Sequence, residues 1–407
     1  FDNPQDYAPC IHVAGSKGKG SVSRMIACIL EEAGYNVGLY SSPHISDFRE
    51  RISKPTAFFD ESVYESAIKE MMPNIDSIIQ LPADRPVTWF ELVTLYAFLC
   101  FRKANVDWSV FEVGLGGRLD ATNVIRPKLC CITGIELEHT EFLGDTLEKI
   151  AAEKGGIIKN CTPVVISAQQ SENVKIILRE KAFTRHAPYY FVDEIIKKAS
   201  YSFNEDEKTM NLTLESDIFN RPINTDLKLL GKMQAMNAAQ AAIAIRKVLP
   251  NLDESIIEKG LAKAQLPGRF EIIDYVPGYD NIPHVILDGA HTLNSIKLTL
   301  DTLARMYYNK KVNLLFACAA DKDIKDISQE FKYRFEHVYV TKPGIKKQSN
   351  IDAEIEAFKN AGINFTADAD YKKMILQAFK DSAENGCILL ITGSFYLVSE
   401  VKNLIIF

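Results

Sequence analysis

The stretch from Cys10 to Gly34, CIHVAGSKGKGSVSRMIACILEEAG, constrains this chain more than any other. Cys10 to Ala14 is a compact apolar run, and Gly15, Gly18 and Gly20 punctuate the loop behind it. From Val22, apolar residues recur at Met25, Ile26, Ile29, Leu30 and Ala33, the spacing of a helix lying on a sheet. Gly34 supplies the stop. A strand, a glycine loop and a helix in that order make an anion site, because loop N–H groups and the positive end of the helix dipole converge. Lys19 is placed to reach outer phosphates, and Ser21 to meet magnesium or phosphate. The general phosphate loop would have glycine at Val13 and Ser or Thr at Gly20, so a plain glycine-rich turn is the competing reading.

At 407 residues the chain exceeds one core, and two domains are expected. Hydrophobic residues at 47% and charged residues at 25% are ordinary for a globular protein in water. A net charge of −6 implies no basic face, so nucleic acid is not an expected partner. The eight cysteines mostly sit in apolar runs and form no CxxC pair, which predicts buried thiols in a reducing compartment. No apolar run approaches the roughly 20 residues that span a bilayer, and none reads as a signal peptide. A cytoplasmic location and no membrane partner are expected. So few residues precede the first strand that a further helix is expected to lie outside this sequence.

Along the chain, Val37–Ser41 reads as a second strand running into the polar segment Ser41–Ser53, either a surface loop or a ligand contact at a strand's carboxyl end. Asp60–Met72 is an amphipathic helix. Another starts at Thr88, where Glu91 completes a capping box, and runs to about Lys103. Trp108–Val113 is a buried strand with one jarring member, Glu112. A carboxylate there must be paired, Arg118 being the candidate, or bind a metal. The next strand, Leu129–Ile135, leads to His139 among Glu136, Glu138 and Glu141. Magnesium on nucleotide phosphates takes only one or two protein carboxylates. A histidine ligand leaves manganese possible.

Asp145, with Glu148 as capping partner, is expected to open a helix carrying Lys154, which spacing alone reads as solvated. Pro163–Ser167 is a strand, Tyr201–Glu215 a hairpin turning at Asn204–Lys208, and Lys232–Val248 an alanine-rich helix bearing Gln234 and Asn237. Leu266–Arg269 (LPGR) reads as the hinge. Beyond it, strand-like runs at Phe270–Tyr275, His284–Leu287, Val312–Cys318, His337–Val340 and Cys387–Thr392 alternate with helices. Polar residues cluster past their ends: Asp288, His291, Asp321, Lys322, Asp323, Lys342 and Ser394. The predicted architecture is α/β: a P-loop-type, mainly parallel-sheet ATPase domain over 1–265, a hinge at 266–270, and a smaller Rossmann-like domain over 271–407.

The segments HVAGSKGKGS, SSPHI, FRERI, TWFE, EVGLGGRLDATN, ITGIELEHTEFLGDTLEKIAAEKGGIIK, LPGRFE, LDGAH and ITGSFYL occur in that order. Together they resemble the folylpolyglutamate synthase/dihydrofolate synthase family of the Mur ligase superfamily, over nearly the whole chain. The resemblance implies an ATP-dependent ligase joining L-glutamate to dihydropteroate, to folates, or to both, with bacterial bifunctional members the nearest pattern.

It implies that Gly15, Ser16, Lys17, Gly18, Lys19, Gly20 and Ser21 bind ATP phosphates. Ser42, Glu112 and His139 would hold two magnesium ions, and Lys154 would match a lysine carried as a carbamate. Asn237 would meet adenine, Arg269 a phosphate and Asp288 the nucleotide. Phe90, Asp120 and Ala121 would line the dihydropteroate pocket, with His291 and Ser394 on the glutamate side. Lys19, Lys154, His139 and Arg269 would act in catalysis. Closure about LPGR would shield an acyl phosphate from water. The chain departs from the family pattern at Ser16, Lys17, Glu138, Met233 and Thr292. A monomer is expected. A nucleotide switch with an interaction domain, and a cell-wall amino-acid ligase, are the alternative functions.

Overall fold

The computed structural model describes residues 1–80, 85–168, 170–345 and 347–405. Among the described residues, sixteen strands form three sheets. The first sheet contains β1 (Cys10–Ala14), β2 (Val37–Tyr40), β3 (Ile52–Ser53), β4 (Trp108–Glu112), β5 (Leu129–Ile132), β6 (Val164–Ile166) and β7 (Tyr189–Phe191), in the order β3-β2-β4-β1-β5-β6-β7. All its pairings are parallel except β2 with β3. Strands buried on both faces read as continuous apolar runs, which is why Cys10–Ala14 and Leu129–Ile132 show no alternation.

One face of this sheet packs on the helix Trp89–Lys103, where Phe98 meets Phe111 with ring centroids 5.0 Å apart. Ile132, Ile150, Ile166, Leu178 and Phe191 form a second core cluster. Each such side chain contributes about 1.5–3 kcal/mol when fully buried.

β8 (Lys198–Asn204), β9 (Thr209–Glu215) and β10 (Ile223–Leu227) form a small sheet in the order β10-β9-β8. β11 (Glu271–Ile273), β12 (Val285–Leu287), β13 (Val312–Phe316), β14 (Val338–Val340), β15 (Phe365–Ala367) and β16 (Ile388–Thr392) form the third, ordered β11-β12-β16-β13-β14-β15. Only β11 runs antiparallel to its neighbour. The chain divides into two compact units, one of Phe1–Ser202, Asn211–Lys228 and Met233–Gln265, the other of Phe203–Met210, Leu229–Lys232 and Leu266–Phe407. The mixed α/β architecture with mainly parallel sheets is the one the sequence predicts.

Three local expectations are corrected. The helix bearing Lys154 spans Leu147–Lys154 and is capped by Thr146, whose hydroxyl accepts from the Lys149 amide at 3.3 Å. Asp145 lies one residue too early and pairs with the Lys149 side chain instead. Lys154 is 1% exposed, so it is not a solvated helical lysine. Arg118 pairs with Glu153, not with Glu112. Among the cysteines, seven are buried and Cys161 is exposed. No described helix is long and apolar enough to cross a membrane.

Candidate active site

β1 lies between β4 and β5, and the chain leaves it in one direction towards β2 and later returns on the other side to β5. Such a reversal opens a crevice at the strands' carboxyl ends. Gly15 to Gly18 occupy it. Gly18 precedes the helix Lys19–Glu32 with φ of 91°, and a Cβ there would meet the Asn237 side chain at 2.7 Å. Glycine is therefore required both by conformation and by space.

The amides of Ser16 and Lys17 both donate to the Gly134 carbonyl, at 2.8 and 3.1 Å, which turns them away from any ligand. Among the described residues, the amides of Lys19, Gly20 and Ser21 have no acceptor in the chain. Three open N–H groups at the start of a 14-residue helix are the donor set an anion needs.

Two lysines converge on one atom beside them. Lys19 Nζ donates to the Gly15 carbonyl at 2.9 Å and to the Ser16 carbonyl at 3.3 Å. Lys154 Nζ donates to the same Gly15 carbonyl at 2.8 Å and pairs with Glu138 at 2.9 Å. Burial, reinforced by the Lys19 charge, brings the Lys154 ammonium down to about 8. For Glu138, burial pushes the carboxyl up, but Lys19 and Lys154 outweigh it and hold the group below its ordinary value. The pair is thus an ion pair inside a patch that still carries excess positive charge.

Glu112 ends β4 and is 5% exposed; one of its oxygens accepts from the Ser42 amide at 3.1 Å. His139 follows β5 in a left-handed conformation (φ 48°) with its side chain exposed. Among the described residues no three His, Cys, Asp or Glu side chains gather to hold a metal. A buried carboxylate, a serine hydroxyl and one imidazole still suit magnesium, which keeps water and phosphate oxygens for most of its octahedron. Their chemistry fits that ion, though among the described residues no site is built wholly from protein ligands.

Asn237, 2% exposed, donates to Gln234 at 3.0 Å and lies against Gly18, so it meets the phosphate loop itself. Its neighbour Gln240 bridges the carbonyls of Ile132 and Val165 at 3.0 Å each, which pins the helix Lys232–Val248 onto β5 and β6. Phe90 is half-buried against Gly114 and the Tyr40 ring. Asp120 braces its own loop, accepting from the Leu115 amide at 2.9 Å and from the Thr122 amide and hydroxyl at 3.0 and 2.6 Å. Ala121, half-buried, opens the short turn after it.

In the second unit, Asp288 follows β12 and spends both oxygens internally. It accepts from the Phe270 and Ala290 amides at 2.8 Å and from the Thr299 hydroxyl at 3.1 Å. Burial pushes its carboxyl up against the Arg269 charge. Arg269 stacks its guanidinium 4.4 Å from the centre of the Phe395 ring. His291 meets the same ring edge-on at 6.2 Å and hydrogen-bonds through Nδ1 to the Gly289 carbonyl at 2.8 Å. A Cβ on Gly289 would lie 2.2 Å from that ring. Ser394, 5% exposed, accepts from the Tyr396 amide and starts the last helix.

Phe395 therefore organises Arg269, Gly289 and His291. Sequence reasoning gave it no role, although it lies within the quoted ITGSFYL segment. Glu138, which the sequence shows beside His139 and as a departure from the family pattern, proves to be the partner of Lys154, a contact that spacing does not reveal.

Residues 13–245 match the Mur ligase middle domain and residues 268–395 the Mur ligase glutamate ligase domain. The dihydrofolate synthase/folylpolyglutamate synthase of Bacillus subtilis (strain 168) is 31% identical over 410 residues, spanning 98% of this chain and 91% of that protein. The Escherichia coli (strain K12) protein of the same name is 29% identical over 394 residues, spanning 97% and 86%. Mycobacterium tuberculosis folylpolyglutamate synthase, solved with ADP and AMPPCP, superimposes with a TM-score of 0.87 at 28% identity, covering 99% of this chain and 92% of that one. An Escherichia coli structure with DHPP and ADP gives 0.81 at 28%, covering 99% and 90%. The chain belongs to the folylpolyglutamate synthase/dihydrofolate synthase family of Mur ligases.

Proposed function

We propose that this protein is an ATP-dependent ligase that adds L-glutamate to dihydropteroate and to folates through an acyl phosphate, releasing ADP and phosphate. The observation that carries the reading is the set of open amides at Lys19, Gly20 and Ser21 beside two lysines gathered on the Gly15 carbonyl. Residues 1–265 would handle the nucleotide, 266–270 act as hinge and 271–407 handle glutamate. The family match and the relatives' folate-synthase names support this over a nucleotide switch or a cell-wall ligase.

A carboxylate does not condense with an amine in water, because oxide is too poor a leaving group. An oxygen of the substrate carboxylate attacks the terminal phosphorus of ATP, forming a C–O–P link as the bond to ADP breaks. The glutamate amine then attacks the acyl carbon, loses a proton, and phosphate departs. The chain's part is positioning and charge stabilisation. Two unit charges about 4 Å apart at an effective dielectric of roughly 20 interact by about 4 kcal/mol. Bringing carboxylate and triphosphate together therefore needs cations.

Lys19 would swing from the Gly15 carbonyl onto the transferred phosphoryl group, while the helix amides hold the phosphates, and Arg269 would offer a further cation. Magnesium, held by Ser42, Glu112 and His139 with Lys154 as the further position, would neutralise phosphate charge. Lys154 would join that set only as a carbamate. Its amine reacts with CO2 when neutral, a form that a value near 8 makes available, and a proton is released. As an ammonium it already has Glu138 for a partner, so the carbamate must displace that pair. Asn237 would complete the nucleotide site, while Asp288, its oxygens already spent on Phe270, Ala290 and Thr299, would shape the loop that carries Arg269 rather than meet the nucleotide itself. Phe90, Asp120 and Ala121 would contact the pterin, and His291 and Ser394 the glutamate. The protein would work as a cytoplasmic monomer, which light scattering of the purified chain tests for mass.

The deciding experiment is a product assay with ATP and glutamate, offering dihydropteroate and a reduced folate separately. Glutamylated product from both establishes dual activity, and product from one restricts the reading to that substrate. Phosphate release that ignores glutamate and yields no amide would overturn the ligase in favour of a nucleotide switch.

A further inference from the structure

We propose that the first unit carries a second anion site, on the amino-terminal edge of its main sheet, for a small multivalent anion. A cavity of about 580 Å3 opens there. Its walls come from residues 123–126 ahead of β5, residues 156, 158–160 and 162 ahead of β6, and Arg185 ahead of β7, with Arg118 from the loop after β4. In a parallel sheet, residues just before the strands lie at the opposite end from Ala14 and Glu112, so this cavity is separate from the crevice holding Gly18. Its volume is that of a small-molecule pocket.

The lining is electrically one-sided. Arg118, Arg126, Lys159 and Arg185 contribute to it and no acidic residue does. Arg118 has Glu153 for a partner. Among the described residues the other three have no ion-pair partner. The half-buried Lys159 donates to the Asn123 carbonyl at 2.7 Å. Burial first, and the Arg185 charge as well, hold its ammonium below the ordinary lysine value. Asn123 spends its amide hydrogens on the Arg118 and Gly156 carbonyls, so the anion's donors in this wall are the cationic side chains.

A chain of net charge −6 has thus gathered four cations in one concavity, where they repel each other. Concave walls of one sign focus the field and concentrate counter-ions. Guanidinium forks fit carboxylate and phosphate oxygens alike, so the ligand is a multivalent anion of either kind. Occupancy would be felt at the catalytic end. The Arg118 amide donates to the Glu153 carbonyl at 2.9 Å, and its side chain holds the Glu153 carboxylate, one residue before Lys154. An anion engaging Arg118 competes with that carboxylate.

The test is calorimetric titration of the whole protein, saturated with AMPPCP, with inorganic tripolyphosphate and with tri-γ-glutamate at low salt. At least one should bind with unit stoichiometry, more weakly as salt rises. The tighter of the two identifies whether phosphate or carboxylate is the natural chemistry. Arg126 and Arg185 are exposed, so Arg126→Ala and Arg185→Ala should fold normally, and each should weaken binding about tenfold. That dependence also separates this site from the Gly18 loop. No binding by either probe, or undiminished binding in the folded double variant, overturns the proposal.

Discussion

The two units furnish their strand ends in opposite ways. At the end of β1 the first unit leaves donors unspent: three open amides, with Lys19 resting only on carbonyls of its own loop. At the end of β12 the second unit spends everything internally, with both Asp288 oxygens saturated and Arg269 and His291 held on one aromatic ring. Unspent donors supply binding energy to an incoming anion, whereas saturated ones hold a loop in shape. The same residue type can therefore be ligand-facing in one unit and architectural in the other, and substitution distinguishes the two.

The largest effect is expected in the first unit. Lys19→Ala and Glu112→Gln should each lower glutamate-dependent phosphate release on the order of a hundredfold or more, the scale of losing one preorganised charge stabiliser. Lys19 bonds only to carbonyls of its own loop, so its variant should unfold at the parent's midpoint. Retained turnover in either variant removes these roles.

Asp288→Ala should do the converse. It strands the buried amides of Phe270 and Ala290, while the Thr299 hydroxyl keeps the Ser295 carbonyl, costing on the order of 3 kcal/mol in denaturant unfolding. If the variant melts like the parent but loses nucleotide affinity, Asp288 faces the ligand and the contrast between the units fails.

A second carboxyl in the same unit sharpens the point. Glu354, on the helix Ile351–Asn360, is 2% exposed and, among the described residues, has no ion-pair partner, only Cys318 as a polar neighbour. Burial pushes it up to about 8, with Cys318 offsetting only part. A carboxyl raised in the folded state binds its proton more tightly there than in the unfolded chain. Its contribution is whole below about 4.5 and lost by about 8. Stability should fall by about 2 kcal/mol between roughly pH 5.5 and 7, and Glu354→Gln should flatten that slope. A parent whose midpoint is level across this range contradicts the reading.

Much of the fold was legible because it rests on local patterns. The buried runs of β1, apolar but for His12, and of β5, the period of the helix Lys19–Glu32 and the Thr88–Glu91 box all appear as read. β3, β7 and β15, of two or three residues at or near sheet margins, are too short to show a period. β10 alternates cleanly, INTDL with burial in-out-in-out-in, and was visible in principle. The site was legible as far as which residues stand at strand ends. Which atoms a long side chain reaches is set by tertiary packing, so neither Lys154 on the Gly15 carbonyl nor the Arg269 stack on Phe395 could be read from spacing.

The smallest effect concerns the helix that delivers Lys154. Asp145 and Thr146 are both good N-cap types, and the local pattern with Glu148 favoured Asp145. The backbone decides otherwise: Thr146 has the extended φ and ψ of −129° and 155°, and its hydroxyl reaches the amide three residues on. Thr146→Ala should cost about 1 kcal/mol, the usual worth of a cap, and loosen the helix that holds Lys154 near Gly15, so turnover should fall with stability. Asp145→Ala removes only a solvent-exposed pair with Lys149 and should leave the melting midpoint unchanged. Should the two variants exchange these outcomes, the helix begins a residue earlier, and the argument that Thr146 sets the reach of Lys154 is lost with it.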